Sequence, residues 1–105
     1  MTNVYKDTIE SFALAIEGDD LPDLDDFKVC FRPLEGGSGG DVELSNQWVD
    51  WDAGNMHLTL TLGKIAQELS LTAGRRYAIE VSGFEENSSD AIPFPGPTFT
   101  LRPWC

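Results

Sequence analysis

A chain of 105 residues, 41% apolar and 10% aromatic, can fill one hydrophobic core and is too short for two, so residues 1–105 read as a single globular domain. Seven Lys and Arg against 18 Asp and Glu give a formal net charge of -11, which repels nucleic-acid phosphates and anionic membrane surfaces and argues against both as partners. No segment approaches the ~20 apolar residues of a membrane span, and the start "MTNVYK" has neither the charged opening nor the apolar run of a secretory signal, so synthesis in a cytoplasm is expected.

In chain order, the first periodic segment is "FALAI", where Phe12, Leu14 and Ile16 alternate with Ala13 and Ala15 as in a half-buried strand. An acidic turn follows, and then Phe27, Val29 and Phe31 alternate with Lys28, Cys30 and Arg32 in a second strand. "GGSGG", residues 36–40, neither restricts the backbone nor buries anything, and reads as a hairpin loop. Val42 with Leu44, then Val49 with Trp51, form shorter pieces before the turn Asp52–Asn55. Met56, Leu58, Leu60 and Leu62 against His57, Thr59 and Thr61 make a further strand.

Leu62, Ile65, Ala66 and Leu69 break this period. Their spacing of i, i+3, i+4 and i+7 places them on one face of a short helix. Gly74, after Thr72 and Ala73, is read as its stop, and the helix as a plug for one end of the core. Tyr77, Ile79 and Val81 then alternate with Ala78, Glu80 and Ser82. "IPFPGPTF" carries three prolines, which predicts a rigid extended entry in place of a paired central strand, before a last strand marked by Phe99 and Leu101. The sum is an all-β chain: a two-sheet antiparallel β-sandwich, Ig-like, of six to eight short strands with one short helical turn near residues 64–70.

The acidic loop Asp19–Asp26 is the first candidate for chemistry. An EF-hand calcium loop needs oxygen ligands at its first, third and fifth positions, glycine at the sixth and a bidentate Glu at the twelfth. From Asp19 the third position is Leu21, the sixth Leu24 and the twelfth Cys30; from Asp20 the third is Pro22 and the fifth Leu24. Both registers fail. The loop reads as architecture, with Gly18, Pro22 and the aspartates forming the turn and Leu21 and Leu24 folding back onto the core; cation binding in another geometry is the open alternative.

Catalytic groupings are sparse. The single histidine, His57, lies on the polar face of its strand, and a pair with Cys30 is the sole nucleophile and base on offer, unsupported by spacing. Cys30 and Cys105 make no zinc pattern and are expected to be free thiols; a bridge between them requires the last strand to lie beside the strand of Cys30. Asn87-Ser88-Ser89 matches a glycosylation sequon and reads as a polar loop. No catalytic residue, metal or cofactor is expected.

Three tryptophans remain. Trp51 shares the face of Val49 and is assigned to the core, whereas Trp48 falls on the opposite side and Trp104 lies near the chain end. Trp48 and Trp104 are therefore the candidate contact surface, for protein or for a sugar ring.

The order of "KDT", "FALAI", "GDDLPDLDDF", a strand ending in "FR", "WDAGNMHLTL", "GKIAQEL", "GRRYAIEVSG" and "PTFTLRP" resembles small β-sandwich domains of tailed-phage structural proteins, those of the long-tail-fibre and baseplate-upper type, from Asp7 to Pro103. The resemblance implies a non-enzymatic virion component of the tail, baseplate or fibre. Its expected partners are other virion structural proteins in a multi-copy assembly, with host-surface sugar a weaker candidate. Capsid decoration or head-to-tail joining, a carbohydrate-binding module using Trp48 and Trp104, and an acidic inhibitor of a nucleic-acid enzyme stay open as alternatives.

Overall fold

The structure, a computed structural model, describes residues 2–18, 21, 23–37 and 39–103. The described residues are mostly strand, with one short helix. Eight strands and the helix follow in chain order: β1 (Thr2–Tyr5), β2 (Phe12–Ala15), β3 (Leu24–Pro33), β4 (Gly40–Glu43), β5 (Val49–Asp52), β6 (His57–Leu60), α1 (Leu62–Glu68), β7 (Arg76–Glu85) and β8 (Ile92–Arg102). They form a five-stranded sheet in the order β1-β8-β7-β3-β4 and a three-stranded sheet in the order β2-β6-β5.

The alternation in sequence becomes burial. Phe27, Val29 and Phe31 of β3, Ile79 and Val81 of β7, and Leu58 and Leu60 of β6 are buried in one core cluster shared by both sheets, while Lys28, Cys30, Arg32 and Glu80 stay exposed. Phe99 of β8 lies edge-on to Phe31 at 6.1 Å and stacks on Tyr77 at 5.9 Å. Such pairs stabilise by about 0.5–1.5 kcal/mol beyond area burial. The Tyr77 hydroxyl, at the bottom of this cluster, accepts the Thr72 N–H at 2.8 Å, which satisfies an amide in the turn leading into β7.

Three sequence expectations need correction. First, the sheets are not wholly antiparallel: β1 runs parallel to β8, with Val4 opposite Leu101. A strand of four residues, with Val4 buried between exposed Asn3 and Tyr5, is too short to show a period. Second, β8 is a paired strand through its prolines, with Pro95 opposite Glu80 and Pro93 opposite Ser82 of β7. β1 covers only Phe99–Arg102, so the proline-bearing half of β8 has one neighbour, and an edge position tolerates a missing N–H. The register skips between Ala78 and Glu80, where Gly96 sits so close to Ile79 that a Cβ on it would lie 2.8 Å from the Ile79 carbonyl oxygen. Third, Asp25 and Asp26 belong to β3, which begins at Leu24 with an irregular register against β7. Leu24 is buried and Leu21 packs on the core.

The helix occupies Leu62–Glu68, slightly earlier than its periodicity suggested, and buries Leu62, Gly63, Ile65 and Ala66. Its stop is Ser70, not Gly74. Ser70 is left-handed at φ 56°; its N–H donates to the Gln67 carbonyl at 3.2 Å, and the Leu71 N–H donates to the Ala66 carbonyl at 2.9 Å. That is a Schellman cap with serine where glycine is usual. Gly74, also at positive φ, instead turns the chain so that its N–H reaches the Leu101 carbonyl at 2.7 Å. Ser70→Gly is expected to raise stability by about 0.5–1 kcal/mol, relief of left-handed strain outweighing the added freedom of the unfolded chain. Urea unfolding checks it, and an unchanged or lower midpoint contradicts the assignment.

Candidate functional site

The residues singled out from sequence do not converge. His57 is exposed on β6 of the small sheet and Cys30 is exposed on β3 of the large one. Each points away from the core its strand neighbours enter, so the core separates them and they form no nucleophile and base pair. β7 lies between β8 and β3, so the adjacency that a Cys30 to Cys105 bridge needs is missing among the described strands; Cys105 itself lies outside the described residues.

Trp48 differs from its expected placement. It is half-buried and packs against the core, because residues 44–48 form a turn and the strand alternation that assigned it to the outer face begins only at Val49. The Asn46 side-chain oxygen accepts the Trp48 N–H at 2.8 Å, and the Asn46 amide donates to Glu68 of α1 at 2.9 Å. The Trp48 carbonyl accepts the Thr61 N–H at 3.0 Å. This turn is therefore tied to both ends of α1. Trp104 lies outside the described residues. Trp51, assigned to the core, packs its ring on Phe27 at 4.5 Å.

The acidic segment divides. Asp19, Asp20 and Pro22 lie outside the described residues, while Asp25 and Asp26 line a shallow groove of about 460 Å³ with Glu43, Glu85 and Lys28 at one end of the large sheet. Asp26 accepts the Phe27 N–H at 2.9 Å. Among the described residues no three His, Cys, Asp or Glu side chains are grouped as metal ligands. Among the described residues four cations are matched to carboxylates on the surface: Lys28 to Asp41 at 3.2 Å, Arg32 to Glu80 at 2.6 Å, Lys64 to Asp7 at 3.0 Å, and Arg76 to Glu35. Pairs this exposed contribute little each, about 0–1 kcal/mol, and they leave a surface dominated by negative charge.

Two carboxylates are shifted. The Arg76 guanidinium, bonded to Glu35, holds that carboxyl below its ordinary value. Asp52 is lowered chiefly by the Asn55 side-chain amide, which donates to it at 2.8 Å, with help from the Asn55 and Gly54 N–H groups in the β5–β6 turn. A depressed carboxylate stabilises the fold above its unfolded pKa, roughly 3.9 for Asp, and that stabilisation disappears as pH falls through the lower folded value. Asn55→Ala is therefore expected to raise the Asp52 titration midpoint, read by NMR, and to be less stable than the parent at neutral pH but not in strong acid. An unmoved midpoint contradicts the turn's role.

The strand edges are the remaining surface with directed bonding capacity. β4 carries Asp41 and Glu43, β5 carries Asp50 and Asp52, and the uncovered half of β8 carries Pro93, Pro95 and Pro97. On β1 the Tyr5 N–H is taken by the Glu10 carboxylate at 2.9 Å. Charges, prolines and capped amides all discourage edge-to-edge pairing. β2, "FALA", has none of them. Sequence reading found this strand by its period but not its edge position, which follows only from its pairing with β6 alone.

No family model matches the chain, and neither a curated protein nor a solved structure matches it.

Proposed function

We propose that this chain is a non-enzymatic structural protein of a tailed-phage or prophage particle, associated with the tail, baseplate or fibre, that assembles through protein–protein contacts. Its two sheets are read as an Ig-like β-sandwich closed over a common core. The observation that carries the reading is the run of strand and turn elements from Asp7 to Pro103 that resembles such domains. Two sheets around one buried cluster are compatible with it. His57 and Cys30 are exposed on strands of different sheets, so the reading assigns neither a catalytic part. A head-decorating or head-to-tail joining position is the nearest alternative, since the same fold serves either.

The test is sedimentation. The tagged protein is followed through a density gradient of lysate from its native source, with mass spectrometry of the fractions. Co-migration with phage-sized particles at a fixed ratio to the capsid protein is expected, and separated heads and tails then place it. Recovery only as a free small protein at the top of the gradient sinks the reading.

A further inference from the structure

Among the described residues β2 is hydrogen-bonded on one side only. It pairs antiparallel with β6, Phe12 opposite Leu60 and Leu14 opposite Leu58, and the next residue in the same phase, Ile16, donates its N–H to the Met56 carbonyl at 2.8 Å. In an antiparallel ladder alternate residues turn both backbone groups to the same side. Phe12, Leu14 and Ile16 therefore face β6, and Ala13 and Ala15 turn their N–H and C=O groups outward. Both alanine side chains are exposed, and the outward groups have no backbone partner among the described residues.

Two apolar features adjoin this edge. Ile9, just before β2, is 80% exposed. A cavity of about 60 Å³ has Ser11, Phe12, Leu62, Ile79, Pro97 and Thr98 among its lining residues. An extended segment laid along β2 would bond Ala13 and Ala15 and could cover Ile9.

Charge selects the occupant. Glu10 and Glu17, both exposed, stand at the two ends of the strand. A second copy brings another -11, and the antiparallel register that sets Ala13 against Ala15 brings Glu10 of each copy within one residue of Glu17 of the other, a meeting of like charges that opposes association. A strand with Lys or Arg at its ends and apolar residues between them meets both carboxylates with opposite charge.

Resting on the structural-assembly reading and deepening it, we infer that the outer edge of β2 is a strand-addition site for an extended, basic-flanked segment of a partner protein. Main-chain hydrogen bonds from Ala13 and Ala15 supply the attachment, and the flanking carboxylates select the partner.

The probe is a synthetic peptide of about nine residues, long enough for one strand, alternating valine and threonine with lysines at each end. Calorimetry is expected to detect binding, and hydrogen exchange to show new protection at the Ala13 and Ala15 amides. Glutamates in place of the lysines, or backbone N-methylation of the peptide, should weaken binding by about tenfold or more. Ala13→Pro should do the same while leaving the β2–β6 ladder intact, since it removes only an outward N–H; the N-methylated peptide makes the same test on unaltered protein. No binding by the lysine peptide, equal binding by all the peptides, or dimerisation of the protein through β2 would overturn the inference. Particle incorporation separates this from the broader reading. A protein that enters particles at the parental ratio as Ala13→Pro keeps its structural role and loses the β2 site. A protein that never enters particles yet binds the peptide through β2 loses the role and keeps the site.

Discussion

Gly63→Ala is expected to destabilise the protein by about 2–4 kcal/mol, and the sign is the informative part. In an exposed helix the same exchange would stabilise by about 1 kcal/mol, because alanine is the better helix former. Here a Cβ on Gly63 would lie 2.3 Å from the Thr8 carbonyl oxygen and 2.7 Å from that of Tyr5. Both obstacles are backbone, so no rotamer change relieves them. The segment between β1 and β2 is also bonded to this residue in both directions, since the Asp7 N–H donates to the Gly63 carbonyl at 2.9 Å and the Gly63 N–H to the Glu10 carbonyl at 3.4 Å. Making room means moving residues 5–8 off the helix, which costs these bonds along with the overpacking strain. Urea unfolding gives the magnitude. Hydrogen exchange gives the location: amides of β1 should lose protection before those of β3 and β7. A neutral or stabilising result would mean that α1 and the β1–β2 connection do not touch as described.

Gly63 also illustrates what sequence can and cannot expose. The helix face of Leu62, Ile65, Ala66 and Leu69 was legible, because period requires only local order. That a glycine lies inside that helix for closeness to a segment some 55 residues earlier was not, since close approach is a property of the tertiary structure. The same division runs through the sheets. β3 and β7 were found by alternation, yet β7 continues to Glu85 through Gly83 and β8 continues through three prolines, both of which look like breaks to a local reading. Their tolerance comes from neighbours: Gly83 leaves space filled by Phe94, Leu24 and Phe27, and the prolines face an uncovered edge. For the candidate site the balance is similar. The character of β2 was visible as "FALA", but its unpaired side depends on sheet order, and the outer-face reading of Trp48 failed because a turn interrupts the alternation before Val49.

Phe27→Ala should cost about 3–5 kcal/mol, a large share of the ~5–15 kcal/mol that a domain of this kind has in total. The side chain is 1% exposed, and its ring meets Trp51 at a centroid distance of 4.5 Å and an interplanar angle of 52°. Phe27 belongs to the five-stranded sheet and Trp51 to the three-stranded one, so this ring pair spans the two sheets and tests the proposed sandwich directly. Truncation alone would mix cavity formation with lost ring contact, so the discriminating measurement is a double-mutant cycle with Phe27→Leu and Trp51→Leu, which keep an apolar side chain at both positions and cancel the single-site cavity costs. A coupling of about 0.5–1.5 kcal/mol is expected for rings packed across a dry interface. Additive effects would instead mean that the rings do not share an interface in solution and that the small sheet is held by the helix and turns alone. In that case the fluorescence of Trp51, read in a variant carrying Trp48→Phe and Trp104→Phe, should change in urea before the large sheet unfolds; with the sheets packed as described, fluorescence and circular dichroism should report one transition.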